Sequence, residues 1–128
     1  MGKTTIADDV RRFILTSVPS VPYLEALLLL RAESSTQWHP FRLARRLYIG
    51  ESHATALLET LAQSQVVRRL DDGGYEYSPA TAELVRAIDR LAETYASDLV
   101  GVTDLIHSRV DKRAQQFADA FRWRKDDR

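Results

Sequence analysis

Cysteine is absent from this 128-residue sequence, which excludes a disulfide framework and any thiolate metal site and makes a reducing compartment the simplest expectation. An excess of either charge is absent too. Eighteen Lys and Arg balance eighteen Asp and Glu, so no global field draws the chain toward nucleic acid, and any such affinity has to come from a local patch. The five glycines are scattered, leaving no glycine-rich nucleotide loop, and His39, His53 and His107 lack the short spacing of a zinc site. The longest apolar run, Ala26 to Leu30, is far below the roughly 20 residues of a membrane span, so a cytoplasmic protein without membrane contact is expected. No motif such as Gly-x-Ser-x-Gly places a nucleophile beside a base. The expectation is therefore a protein without enzymatic activity, cofactor or metal.

What remains is a chain with 45% hydrophobic residues, ordinary for one globular unit with a real core. Ile6, Val10, Phe13, Ile14 and Ser17 recur at three and four residues, which predicts a helix over about 5–17. Pro19 and Pro22 interrupt the pattern. Ser20 can cap a second helix with Pro22 in its first turn, and the apolar sequence that follows, up to Leu30, belongs in a central core.

After the polar stretch Glu33 to Gln37, Trp38 and His39-Pro40 lead into a third helix. On a helical wheel Phe41, Leu43, Ala44, Leu47 and Tyr48 fall on one side, for packing, and Arg42, Arg45 and Arg46 on the other. Gly50 is placed to stop that helix in the left-handed conformation and Ser52 to cap the next, whose inward stripe is Ala54, Leu58 and Leu61. Val67 to Leu70 and Tyr75 to Tyr77 then read as two short strands around Asp72-Gly73-Gly74, a turn that needs positive φ.

Ser78-Pro79 is expected to cap a long helix over about 80–107. Leu84, Ile88, Leu91, Tyr95, Leu99, Val102 and Ile106 run along it as a nearly straight stripe over roughly 40 Å at 1.5 Å per residue. Part of that stripe needs a partner. A second copy of the chain would make it a dimer interface, and the alternative is burial within one chain under the N-terminal helix. A last short helix is expected from Asp111, with Ala114, Phe117, Ala118 and Phe121 on one face, before Trp123 and a charged end.

The order helix, helix, turn, helix, hairpin, long helix resembles the winged helix-turn-helix superfamily, in particular small bacterial transcriptional regulators of the MarR and PadR kind. Residues 38–77 carry the likeness. LETLAQSQVVRRLDDGGYEYSP is similar to that superfamily's Leu-x-x-Leu recognition helix, followed by two aliphatics opening the wing and an aromatic returning from its tip. Gln65 stands where such regulators often place a glycine. The fold expected is thus mainly α with a small two-stranded β-wing. Residues 1–79 would form the winged head with its N-terminal helix, and residues 80–128 the helical dimerisation region.

The resemblance implies a homodimer reading double-stranded DNA, with the fourth helix in the major groove and the hairpin as wing. Base contact would fall to Ser52, His53, Thr55, Ala56, Thr60 and Gln63, and phosphate contact to Thr36, His39, Arg42, Arg45, Arg46, Arg68, Arg69 and Tyr75. A plainer expectation stands beside each. Arginines on a helix are ordinarily solvated surface, Asp71 and Asp72 are ordinary turn formers, and Trp38 is core or hinge before it is the wall of an effector pocket. From Thr36 to Tyr77 five arginines meet five acids, Glu51, Glu59, Asp71, Asp72 and Glu76, and the fourth helix has no cation to offer a guanine. That balance supports a second expectation, a winged-helix adaptor that binds a protein partner.

Overall fold

The computed structural model describes the backbone of residues 6–126 and the side chains of residues 6–109, 112 and 114–120. Position 5 of the expected first helix, and the side chains of Asp111, Phe121 and Trp123, named above for the last, lie outside that description. The chain is mainly helical with a small antiparallel sheet: α1 (Asp8–Ser17), α2 (Val21–Ala32), β1 (Gln37–Trp38), α3 (Pro40–Leu47), α4 (Glu51–Gln63), β2 (Val67–Arg69), β3 (Tyr75–Tyr77), α5 (Ala82–Ser97) and α6 (Leu99–Asp126).

Local chemistry explains most of these boundaries. Ser20 Oγ accepts the Tyr23 N–H at 3.2 Å and Pro22 sits in the first turn of α2, as its sequence predicts. The two bulky strand ends are joined by a turn in which only Gly73 has positive φ, 88°; Asp72 Oδ1 accepts the Gly74 N–H at 2.9 Å. Gly74 serves a different need. A Cβ there would lie 2.9 Å from the His39 ring, so glycine lets the turn close against the entry to α3. The register pairs Val67 with Tyr77, Arg68 with Glu76 and Arg69 with Tyr75.

Five features depart from the sequence expectations. The sheet has three strands, in the order β1-β3-β2, because Gln37 and Trp38 pair with Glu76 and Tyr75. Two residues are too few to show alternation, so β1 leaves no periodic trace. Secondly, α3 ends in the left-handed conformation at Tyr48 (φ 57°, ψ 46°), with the Ile49 N–H reaching back to the Ala44 carbonyl. Gly50, at φ −70°, is the N-cap of α4, and Ser52 lies inside its first turn. A Cβ-bearing residue in the position of Tyr48 costs on the order of 1 kcal/mol relative to glycine. Gln65 is the other non-glycine residue of positive φ among those described, at 64°.

Thirdly, Thr81, not Ser78, caps α5, its Oγ1 accepting the Leu84 N–H at 3.0 Å. Fourthly, the expected single helix over 80–107 is two. Asp98 breaks it at φ −148° and ψ 66°, then its Oδ1 accepts the Gly101 N–H at 2.9 Å and so starts α6. Gly101 allows this, since a Cβ would collide with the Asp98 carboxylate. Fifthly, no new helix begins at Asp111; α6 runs through it.

The break lets α5 and α6 both pack on α1. Ile88, Leu91, Val102 and Ile106 are wholly buried with Val10 and Ile14. Arg90 pairs with Asp9, and Arg31 Nε donates to Asp89 Oδ1 at 2.8 Å, tying α5 to α1 and α2. One continuous core therefore runs from Val10 to Ile106 and draws on both sides of residue 79. No single helix among the described residues is long and apolar enough to cross a membrane.

Within the core, the Tyr77 hydroxyl is buried without a hydrogen-bond partner among the described residues. Burial, seconded by the charge of Asp89, pushes its pKa up against the opposing pull of Arg31, so it remains a neutral phenol. Tyr77→Phe removes the orphaned group without changing shape. Urea unfolding of that variant should show stability unchanged or raised by up to about 1 kcal/mol, whereas a clear loss would mean that the hydroxyl has a partner.

Candidate nucleic-acid interface

The turn Tyr48–Gly50 joins α3 to α4 so tightly that the two helices pack directly, with Leu43 and Ala44 against the α4 stripe of Ala54, Leu57, Leu58 and Leu61. This burial turns the opposite face of α4 outward. Ser52, His53, Ala56, Thr60 and Gln63 are exposed and Thr55 is half-buried. The Thr55 and Thr60 hydroxyls donate to the Glu51 and Ala56 carbonyls at 3.0 and 2.9 Å, leaving their oxygens as acceptors and their methyls free to touch apolar groups. Glu51 and Glu59 are exposed on the same helix, so the face is neutral to acidic.

The eight residues expected at phosphates divide into three groups. Arg42, Arg45 and Arg69 are exposed and form no ion pair among the described residues. Arg46 and Arg68 are engaged. Arg46 donates to both oxygens of Glu33, at 3.0 and 2.5 Å, and its guanidinium lies 5.7 Å from the Trp38 ring centre. The hydrogen bond from Arg46 holds the Glu33 carboxyl below its usual range, against the opposing effect of desolvation. Arg68 donates through Nε and Nη2 to Glu76 Oε1 at 3.0 and 2.7 Å, across the β2–β3 register.

The third group is uncharged or titratable. Thr36 is half-buried, and its N–H is used by the Glu33 carbonyl. His39 is half-buried too, stacked on Phe41 with ring centres 6.2 Å apart and with Nε2 3.4 Å from Asp72 Oδ2. Tyr75 is only 8% exposed, packed into the core from the central strand, which removes it from the set of phosphate ligands.

The dimer stripe also needs correction. Ile88, Leu91, Val102 and Ile106 are covered by α1 within one chain, and Leu84 and Tyr95 are half-buried beside them. Leu99 alone among the seven is exposed, at 54%. Burial within one chain, the alternative drawn from the sequence, describes four of the seven. Trp38 is fully buried, a core residue and no pocket wall.

Two residues that the wheel assigns to packing lie instead on the surface: Phe41 is 53% exposed and Tyr48 94%. Phe41 flanks a depression of about 370 Å3 whose other walls are Arg42, Arg45 and Arg46. The assignment errs at Tyr48 because the left-handed turn carries that residue off the helix, and at Phe41 because at about 100° per residue it lies roughly 160° from Leu43, on the arginine side of α3. Glu33, the counter-ion of Arg46, is thirteen residues away and has no local trace, whereas Glu76 opposite Arg68 follows from the hairpin register. No protein-family model matches this chain, and no curated protein sequence matches it significantly.

Proposed function

We propose that the protein is a DNA-binding transcriptional regulator of winged-helix type, with α3 and α4 as its helix-turn-helix, β2 and β3 as its wing, and no catalytic role. The observation that carries this reading is the combination of a tight α3–α4 turn with a largely exposed polar face on α4 and the arginines Arg42, Arg45 and Arg69, which form no ion pair among the described residues. Phosphates would engage those arginines, and Ser52, His53, Thr55, Ala56, Thr60 and Gln63 would meet base edges, Gln63 suiting adenine and Ala56 or Thr60 a thymine methyl. Two copies acting on half-sites roughly 34 Å apart would join through exposed apolar residues of α6, Leu99, Val100 and Phe117. A reducing, cytoplasmic setting accords with the absence of cysteine.

Titration of a labelled random duplex at about 50 mM salt tests the reading, because phosphate contacts of this kind weaken steeply with added salt. Replacing Arg42, Arg45 and Arg69 with alanine should lower the slope of log K against log salt by about 2–3 and weaken binding by roughly two orders of magnitude at 0.1 M salt. A folded parent protein without affinity, or a triple variant that binds as the parent does, would sink it.

The second reading, an adaptor for a protein partner, is favoured by one specific observation. Arg46 and Arg68 are already satisfied by Glu33 and Glu76, and α4 adds only acids. Absence of duplex binding by the parent is its expected result.

A further inference from the structure

Neither backbone nor core accounts for a tyrosine at position 48. Its left-handed conformation is one that glycine or asparagine adopts most easily, and at 94% exposure no burial offsets the strain. Strain without a folding return is characteristic of residues held for contact with something else. One turn of helix earlier lies Arg45, and at the other end of α3 Phe41 is half exposed with the His39 ring stacked against it. α3 rises roughly 9 Å from Phe41 to Leu47 at 1.5 Å per residue, and Tyr48 follows at its end in the left-handed turn. Between Phe41 and Tyr48 are Arg42 and Arg45, which have no ion pair among the described residues, and the depression they form with Phe41 and Arg46 has no carboxylate in its walls.

We infer that this face of α3 binds nucleic acid through unpaired bases, which stack on Tyr48 and on the Phe41–His39 pair while Arg42 and Arg45 hold the intervening phosphates. The inference rests on the nucleic-acid reading above and names its substrate class: a strand with bases out of the duplex, at a bubble, a junction or a single-stranded tract. Three features select bases over a peptide. The site is flanked by rings and guanidinium groups and has no deep apolar pocket, whereas protein anchors bury themselves in closed, dry pockets. A flat open aromatic suits any base, since every base has a π-face. Cations interleaved with aromatics match the alternation of phosphate and base along a strand. In an intact duplex those bases are stacked on one another and closed to the rings, so the preference is for unpaired ones.

Three labelled DNA probes of one sequence decide the matter: a duplex, the same duplex with a central bubble, and the single strand. The parent protein should bind the bubble roughly tenfold tighter than the duplex. Tyr48→Gly should erase that preference while leaving the melting temperature unchanged or higher, because glycine suits the left-handed position. Phe41→Leu, which keeps apolar bulk without a ring, should reduce the preference, and Arg45→Ala should weaken bubble and duplex alike. Equal affinity of the parent for bubble and duplex would overturn the inference and leave the nucleic-acid reading standing. A preference that survives in Tyr48→Gly, or a Tyr48→Gly protein of lower melting temperature, would overturn it as well. Binding to none of the three probes would remove both, and capture of an acidic glutamate–leucine copolymer instead would make the face a protein-docking surface.

Discussion

Trp38→Ala is expected to lower the unfolding free energy by about 3–5 kcal/mol, a large part of the roughly 5–15 kcal/mol that holds a domain of this size together. Trp38 is the largest side chain buried without any exposure. It is also the residue through which β1 joins the sheet, paired with Tyr75 of the central strand and followed two residues later by the start of α3. Its loss leaves a cavity beneath the junction of α2, α3 and the sheet, and removes the ring under the Arg46 guanidinium. The indole Nε1 has no hydrogen-bond acceptor among the described residues, so its polarity adds nothing and its volume is what counts. Trp38→Phe should therefore lose much less than the alanine variant. Urea melts of both variants check this, and equal losses would show that the indole N–H, not the packing, was the stabilising element.

That single residue also marks how far the fold can be read from sequence. Periodicity exposes whatever repeats over several turns, so the α1 stripe, the apolar α2 and the α4 stripe are all visible, and the Ser20 cap and the Gly73 turn follow from side chains with narrow conformational uses. Features of one or two residues are not visible this way. The strand at Gln37–Trp38 is fixed by its pairing with a segment about forty residues on, and Tyr48 adopts a backbone conformation that its own side chain disfavours. The Asp98 break is hidden for another reason. The apolar spacing continues across it, although Asp98 three residues before Gly101 is a capping pattern that the straight stripe masks.

The candidate site divides along the same line. The outward face of α4 follows from its inward stripe, and the exposure of Arg42 and Arg45 from the α3 wheel. Which arginines are available is a tertiary property. Glu33 comes to Arg46 from the end of α2, and only the sheet register brings Glu76 to Arg68. The sequence shows five arginines of equal standing; among the described residues the fold leaves three without an ion pair and satisfies two.

That division predicts a gain of function. In Glu33→Gln/Glu76→Gln, Arg46 and Arg68 lose their carboxylate partners while their positions beside Arg42, Arg45 and Arg69 are kept. If phosphates lie across this surface, each released guanidinium adds a contact worth about 0.9 in the salt slope, or roughly eightfold in affinity at 0.1 M salt and about sixtyfold for the pair. Acid alone is a poor substitute, because Arg46 keeps the Glu33 pKa below the ordinary carboxylate range, and that ion pair persists through neutral and mildly acidic solution. The double variant has 18 basic residues against 16 acidic, a net charge of +2, so a control must match that number without releasing an arginine. Glu25→Gln/Glu93→Gln does so, since both residues are exposed and neither forms an ion pair among the described residues. Anisotropy titrations over a salt series should show the steeper slope only in the first double variant. Equal gains in both would reduce the effect to net charge, and no gain in either would place the arginines away from phosphate and leave the adaptor as the better account of the neutral-to-acidic α4 face.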